Sequence, residues 1–202
     1  MASQQPPPPG TQPPRRITAV SLTRENFAPY GQVICALPTP SQSANQGTAQ
    51  RYNHVAKVEN HRAEGPNPAQ PNLCVFRCTP PPLPFTIKLL ERHPHSTQFF
   101  VPMTTTSYLV IVALNDPATD KPDPATLKAF VAGHAQGVSY GAGTWHHPMV
   151  AMGAGHTDFC VMVYERREKC EVPGEDCEEV FYDQEKWVLV DVPDADPNAG
   201  SR

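Results

Sequence analysis

Residues 85–103, FTIKLLERHPHSTQFFVPM, carry the pattern that decides the fold. Because side chains alternate along a strand, a strand ending near His93 has two different faces. One face is predicted to hold Ile87, Leu89, Glu91 and His93, and the other Lys88, Leu90 and Arg92. The first face changes from apolar to polar, as expected where a barrel strand leaves its core and reaches a ligand-binding mouth. Pro94 ends this strand, and Gln98 begins the returning strand beside the same mouth.

The chain from Leu73 onward is a succession of short apolar or alternating runs separated by Pro, Gly, Asp and Asn. The eight candidate strands are LCVFR, FTIKLLERH, QFFVPM, SYLVIVAL, TLKAFVA, GVSY, DFCVMVYE and WVLVDV. This spacing is typical of a β-sandwich or barrel. The continuous apolar run SYLVIVAL indicates a strand that is buried on both faces or lies at an interface. We therefore predict an all-β sandwich or barrel with little helix.

The residues before these strands predict a compact start to the same domain. RITAVSLTRENFAPYGQVI, residues 16–34, indicates a short strand, a turn or helical turn capped by Thr23 with Glu25 in its first turn, and a second strand reaching Ile34. Residues 1–16 are rich in Pro and Gln and predict a disordered, polyproline-biased arm. We expect one domain over residues 17–192 and a frayed tail over 193–202.

Composition excludes several classes of partner. Sixteen Lys plus Arg against 20 Asp plus Glu give a net charge of -4, which is too mild for a nucleic-acid or anionic-membrane surface. No apolar stretch approaches the roughly 18 residues that a membrane span needs, and the N-terminus has no apolar signal region. The sequence therefore predicts a cytoplasmic protein with a small-molecule partner. Its six cysteines are expected to stay thiols.

A second polar stretch lies at residues 137–148, GVSYGAGTWHHP. Its glycines permit a tight turn, after which His146 and His147 point to opposite faces of a resumed strand. The two stretches resemble the paired motifs of the cupin superfamily, a double-stranded β-helix barrel of the jelly-roll type. The later G-x2-H element matches residues 143–146, and Glu91 stands where the first cupin histidine usually is.

Four side chains from these motifs form a candidate ligand set: Glu91, His93, Gln98 and His146. Mixed nitrogen and oxygen ligands without a thiolate suit one divalent ion such as Ni, Mn, Fe or Zn. No organic cofactor is predicted. The alternative is a metal-free hydrogen-bonding cluster that binds a polar substrate.

Longer motifs narrow the resemblance. ERHPHSTQFFVPM, DPATLKAFVAGHAQGVSYGAGTWHHPMVAM and TDFCVMVYER, together with NQGTAQRY near the start, resemble the ureidoglycolate lyase family over roughly residues 17–168. The resemblance implies a cupin-type lyase that splits ureidoglycolate into glyoxylate and urea during allantoin degradation. Lys128 departs from the family, since relatives often have arginine there. The Pro-rich head, the loop at 115–126 and the tail after Cys170 look specific to this branch.

The chemistry of this elimination assigns roles to individual residues. The hydroxyl must lose a proton, the leaving nitrogen must gain one, and the substrate carboxylate needs a cation or hydrogen-bond donors. His93 and His146 are the central catalytic candidates, and His147 or Tyr140 is a candidate for moving the proton. Arg77, Lys128, Trp145 and Asp158 are the candidates for binding substrate. For Arg77 and Lys128 the alternative is an exposed solubilising charge, and for Trp145 it is core packing.

Two other function classes remain open at this point. One is a non-catalytic cupin that binds a small acid, and the other is a different metal-dependent cupin enzyme, such as a dioxygenase or isomerase. A related amidohydrolase would release ammonia and carbon dioxide instead of urea. The SYLVIVAL run and the open barrel edges also predict a symmetric homodimer.

Overall fold

The computed structural model describes residues 13–104, 107–166 and 175–193. Within these residues the regular structure is β, apart from one four-residue helix, α1 (Arg24–Phe27), and three short 3-10 turns. The strands are β1 (Arg15–Thr18), β2 (Val20–Ser21), β3 (Gly31–Ile34), β4 (Gln42–Ala44), β5 (Ala49–Arg51), β6 (Gln70–Cys78), β7 (Phe85–Ile87), β8 (Leu89–Arg92), β9 (Gln98–Pro102), β10 (Ser107–Ala113), β11 (Asn115–Asp116), β12 (Lys121–Pro122), β13 (Lys128–Gly133), β14 (Gly137–Tyr140), β15 (Trp145–His146), β16 (Val150–Ala151), β17 (Thr157–Glu165), β18 (Glu178–Phe181) and β19 (Val188–Asp191). The predicted all-β, cupin-like class with little helix is confirmed.

Two sheets face each other and form the barrel. The larger has the strand order β18-β8-β15-β10-β13-β2, with β16 also paired to β10, and the smaller has the order β3-β14-β9-β17-β6. A third sheet, β1-β19-β7, packs on the other side of the larger sheet, and β4-β5 and β11-β12 form two-stranded pairs. The larger sheet therefore lies between two layers and has a core on each side.

Strand β10 is the centre of this arrangement. Tyr108, Val110 and Val112 point into the barrel core, where they meet aromatic residues of the smaller sheet such as Phe159. Leu109, Ile111 and Ala113 point into the second core, against the β1-β19-β7 layer. All six side chains are at most 1% exposed. The predicted burial on both faces is confirmed, and because this chain covers both faces, the run is not available as a subunit interface.

The start of the domain follows the predicted local signals. The Thr23 hydroxyl accepts a hydrogen bond from the Asn26 N–H at 3.2 Å, and Glu25 lies in the first turn of α1. Phe27 then buries its ring against Phe130, with ring centroids 5.9 Å apart. The first strand begins at Arg15, two residues before the predicted start. Residues 1–12 and 194–202, which include most of the predicted arm and tail, lie outside the described residues.

The strand predicted from Phe85 to His93 is divided in two. β7 belongs to the outer layer and β8 to the larger barrel sheet, with the break at Lys88. Because the break resets the alternation, Ile87 and Leu90 both enter the second core. The expectation that Ile87 shares a face with Glu91 is therefore wrong.

Strand β18 is absent from the predicted set of strands. Its sequence, EEVF, pairs along β8 so that Glu179 lies opposite Glu91. Two adjacent glutamates are not typical of a buried strand. β18 lies at the edge of its sheet, where charges are tolerated that a central strand would not tolerate. None of the helices in the described residues is long and apolar enough to cross a bilayer.

Shortening a β10 side chain that points into the second core should destabilise the protein more than shortening an exposed side chain on another strand. Ile111→Ala is expected to lower the free energy of unfolding by about 2–5 kcal/mol, the range for removing a buried aliphatic side chain. Val20→Ala on β2, where the residue is 50% exposed, is the control and should change it by no more than about 0.5 kcal/mol. Urea unfolding followed by circular dichroism measures both, and equal losses would contradict the two-core arrangement.

Candidate active site

One row of side chains crosses the larger sheet on the face that lines the barrel. Glu91 of β8 lies opposite His146 of β15, and His146 lies opposite Val112 of β10. Val112 in turn lies opposite Lys128 of β13. Residues that are directly opposite in antiparallel pairs point to the same face. The register therefore places a carboxylate, an imidazole and an exposed ammonium along one barrel wall.

The facing wall comes from the smaller sheet. Gln98 of β9 lies opposite Tyr140 of β14, and both side chains are buried. The two walls meet where His146 Nε2 lies 3.0 Å from Gln98 Oε1 and 3.4 Å from Glu91 Oε1. His93, just after β8, stacks its ring over His146 with centroids 5.8 Å apart. The structure thus brings together the four predicted ligands Glu91, His93, Gln98 and His146.

Backbone carbonyls determine which ring nitrogen of each histidine carries the proton. His93 Nδ1 is 2.8 Å from the Asp176 carbonyl oxygen, and His146 Nδ1 is 2.9 Å from the Thr144 carbonyl oxygen. Since a carbonyl can only accept, each ring donates through Nδ1, and a neutral His93 ring keeps a lone pair on Nε2. That lone pair is available to a ligand in the barrel mouth, and His146 Nε2 faces the oxygens of Gln98 and Glu91.

Burial keeps His93 neutral. It lowers the pKa of His93 to about 4, and the neighbouring His146 adds to that effect. Burial alone would raise the pKa of Glu91, but the hydrogen bond and the charge of His146 outweigh it, so the pKa of Glu91 is lowered. At neutral pH the cluster therefore presents a carboxylate beside an uncharged His93.

These groups fit a divalent cation. Ligand atoms from Glu91, His93 and His146 all lie within 4.8 Å of one another. Ligands at bonds of about 2.1 Å to one ion lie roughly 3–4 Å apart, so small side-chain movements would complete the set. Lone pairs of Nε2 and of two oxygens converge on one point, and a cation would satisfy all of them.

Tyr140 contributes a buried hydroxyl beside this cluster. Its ring stacks on His146 with centroids 4.1 Å apart and an interplanar angle of 12°. Among the described residues its hydroxyl has no hydrogen-bond partner, and burial raises its pKa well above the usual range. A buried hydroxyl without a partner carries a desolvation penalty that a bound substrate or water would relieve.

The structure moves two predicted site residues away from the cluster. Trp145 is fully buried in the second core, where its indole N–H donates to Asn115 and its ring lies 4.5 Å from the Arg92 guanidinium. His147 lies on the same opposite face, with its ring edge-on to Phe85 at 4.9 Å. Strand alternation is the reason, because only His146 of the three consecutive residues 145–147 can face the barrel. Core packing replaces the predicted role of Trp145 as a pocket wall.

Arg77 and Asp158 are also placed elsewhere. They form a two-pronged ion pair, both contacts 2.8 Å, across β6 and β17. Phe159 points into the barrel core, so Asp158 and its partner point outward from the smaller sheet. The structure pairs the charge of Arg77 with Asp158, and a substrate-binding role for either residue stays a prediction. Lys128 is the predicted cation that the register does bring to the inner face.

An apolar cavity of about 270 Å³ lies elsewhere, between the second core and Trp187. Its lining contains none of the four clustered residues Glu91, His93, Gln98 and His146.

Comparison with known proteins identifies the family. The sequence profile described as ureidoglycolate lyase matches residues 14–189. The chain belongs to the ureidoglycolate lyase family. A ureidoglycolate lyase of Saccharomyces cerevisiae is 39% identical over 190 residues, covering 82% of this chain and 94% of the yeast protein. One from Pseudomonas syringae pv. tomato is 33% identical over 181 residues, covering 88% and 96%, and one from Burkholderia mallei is 41% identical over 141 residues, covering 70% and 78%.

Membership in the ureidoglycolate lyase family confirms the predicted resemblance, but one functional contact was missing from the sequence reasoning. Asp176 presents its backbone carbonyl to His93, although it lies 83 positions further along the chain. A carbonyl partner has no side-chain signature, so no residue pattern could have indicated this contact. The undetected strand β18, which begins at Glu178, brings Asp176 to the site.

The low pKa of His93 predicts an acid-sensitive step in the stability of the metal-free protein. The unfolded chain binds a proton at His93 near pH 6.5, whereas the folded chain resists it until about pH 4. Stability from this group is therefore present above about pH 6.5 and is lost as pH falls towards 4. His93→Asn, which can still donate to the Asp176 carbonyl, should lose less stability over this interval.

Urea unfolding in the presence of a chelator, from pH 7 to pH 4, measures this difference. His134→Asn is the control, since it removes another histidine outside the cluster and should leave the pH slope of the wild type. Parallel curves for His93→Asn and wild type would contradict a buried, neutral His93.

Proposed function

We propose that the chain is a ureidoglycolate lyase that eliminates urea from ureidoglycolate and leaves glyoxylate, as a step in allantoin degradation. The observation that carries the proposal is the convergence of Glu91, His93, Gln98 and His146 at one barrel mouth. This convergence occurs in a chain that belongs to the ureidoglycolate lyase family. The partner is a small molecule.

The proposed reaction is an elimination that moves one proton and breaks one carbon–nitrogen bond. The hydroxyl on the central carbon loses its proton and becomes the aldehyde oxygen of glyoxylate. The bond from that carbon to the ureido nitrogen breaks, and the nitrogen takes a proton to leave as urea. No oxidant, reductant or water is consumed, so the step needs no organic cofactor.

Glu91, His93, Gln98 and His146 are the residues that would hold a divalent metal, with nickel, manganese, iron and zinc as candidates. When bound there, such an ion would lower the pKa of the substrate hydroxyl and so ease its deprotonation. His93 supports this role because its Nδ1 donates to the Asp176 carbonyl and its Nε2 is free. His146 is held in the same way by Thr144.

Tyr140 is the proposed proton donor to the leaving nitrogen. Its raised pKa keeps the phenol protonated, and its buried hydroxyl is otherwise without a partner in the described residues. Stacking on His146 fixes the ring beside the proposed metal ligand. A neutral phenol in such a position is suited to donation rather than to acting as the first base.

Lys128 is the proposed partner of the substrate carboxylate. It lies two strands from His146 in the same row, a backbone separation of roughly 10 Å at the usual strand spacing. Its long side chain can cover much of that distance. The ammonium is exposed at the barrel mouth, where an anionic substrate would enter.

We also propose a cytoplasmic location and a homodimer. Support for the dimer comes from the outer face of the smaller sheet, where Leu73 and Val75 of the edge strand β6 are 69% and 60% exposed. An exposed apolar edge strand is a surface that a second copy can cover. A two-fold axis would place the β6 strands of the two subunits side by side.

The deciding experiment measures urea against ammonia after incubating the metal-loaded protein with ureidoglycolate. Glyoxylate with urea is expected. His93→Ala and His146→Ala should each lower turnover at least about 100-fold, the lower scale for losing a catalytic group. His134→Ala is the control and should keep wild-type turnover.

Other products would favour other functions. Ammonia with carbon dioxide would indicate an amidohydrolase. Binding of the acid without turnover would indicate a non-catalytic cupin, and turnover only of unrelated substrates would indicate a different metal-dependent cupin enzyme. Wild-type turnover in either histidine variant would remove the site assignment.

Lys128→Met is expected to weaken substrate binding more than turnover. Loss of a charged hydrogen bond costs about 1.5–3 kcal/mol, which corresponds to roughly a 10- to 100-fold rise in KM. Lys128→Arg should keep most of the affinity, and Lys121→Met should behave as wild type. Steady-state kinetics separate KM from kcat, and an unchanged KM in Lys128→Met would assign the carboxylate to another group.

A further inference from the structure

A half-buried ion cluster lies beside the proposed site but outside its ligand set. The Glu175 carboxylate accepts hydrogen bonds from the two terminal guanidinium nitrogens of Arg166, Nη1 and Nη2. It also pairs with Arg62 Nη1 at 2.8 Å. The exposed fractions of the three side chains are only 18–22%. The Glu175 carboxylate therefore joins two arginines in a partly buried place.

This arrangement is sensitive to the loss of its central charge. Exposed ion pairs contribute little to stability, but an ion left unpaired in a partly buried place is costly. Without the Glu175 carboxylate, Arg62 and Arg166 would lose the anionic group that joins them. The segment that carries Glu175 would then lose its contacts to both arginines.

The chain that would move carries the hydrogen-bond partner of His93. Glu175 precedes Asp176, whose carbonyl oxygen lies 2.8 Å from His93 Nδ1. The Arg166 backbone N–H also donates to the Asp176 carboxylate, at 3.2 Å. The cluster therefore holds the segment at residues 175–176 against the end of β17.

The same cluster also reaches the other side of His93. Arg62 Nη2 lies 2.6 Å from His95 Nε2, and the His61 backbone N–H donates to the His95 carbonyl at 2.7 Å. Arg62 thus connects the turn that follows His93 to the segment that bonds the His93 ring. The relative position of these two segments sets the direction of the imidazole.

We propose that Glu175, together with Arg62 and Arg166, is a positioning residue for His93. It keeps the Asp176 carbonyl in place, so that His93 stays in the tautomer that has a proton on Nδ1 and a free lone pair on Nε2. Partners of this kind tune a metal-binding histidine through its second nitrogen. The inference rests on the proposed function only for its catalytic consequence, because the tautomer exists without substrate.

The test observes the His93 tautomer directly by 15N NMR of histidine-labelled, metal-free protein at pH 7.5. Wild type is expected to show a protonated Nδ1 and an unprotonated Nε2 for His93. Glu175→Gln should convert this signal to a mixture of tautomers. Zn2+ affinity, measured by titration with a competing chelator, should fall by about 10-fold or more.

Asp191→Asn is the matched control, since it removes another carboxylate that pairs with both ends of an arginine, Arg16, far from the site. It should leave both the tautomer and the Zn2+ affinity unchanged. Arg62→Lys, a milder change that keeps the charge, replaces Glu175→Gln if that variant does not fold. A variant with a lower melting temperature but a wild-type His93 signal and Zn2+ affinity would show that the cluster is only structural.

These readouts do not depend on ureidoglycolate. A tautomer change in Glu175→Gln supports the positioning role even if the protein releases no urea. Conversely, urea release together with an unchanged tautomer would overturn this inference and leave the proposed function standing.

Discussion

The burial of β10 on both faces is the constraint on which the rest of the structure depends. Its alternate side chains fill two cores, so the larger barrel sheet must be covered on both sides. The strand then pairs with β13 on one side and with β15 on the other. These two neighbours carry Lys128 and His146. A purely apolar strand thus determines where the polar groups of the site lie, because its register aligns them on one barrel wall.

Burial and hydrogen bonding act together to keep the site histidines available. Desolvation opposes the charge on His93, and the carbonyls of Asp176 and Thr144 occupy the Nδ1 atoms of His93 and His146. The Nε2 atom of His146 then lies 3.4 Å from the Glu91 carboxylate at the barrel mouth. Behind the site, Arg92 is 7% exposed and is paired with Asp120 and Glu178. The charges closest to the site are therefore either compensated or directed at the place where a ligand would bind.

The proposed elimination requires little movement of charge. One proton passes from the substrate oxygen to its nitrogen, and the anionic carboxylate needs a stable cationic partner. A cluster with one carboxylate, the neutral imidazole of His93 and a buried phenol suits such a reaction because it offers an acceptor, ligand atoms for a metal and a proton donor within one barrel mouth. Membership in the ureidoglycolate lyase family indicates ureidoglycolate as the substrate of this reaction.

The sequence by itself determined the all-β class, the two-sided burial of SYLVIVAL, the cap at Thr23 and the four residues that meet at the barrel mouth. These features depend on local periodicity and short motifs, which a linear chain displays. Only the tertiary structure decided that Trp145 enters a second core, that Arg77 is paired with Asp158 on the outer face, and that Asp176 bonds His93. The reason is physical: the break at Lys88 changes which residues share a face, and contacts made by backbone carbonyls or distant partners depend on strand register, which side-chain identity does not reveal.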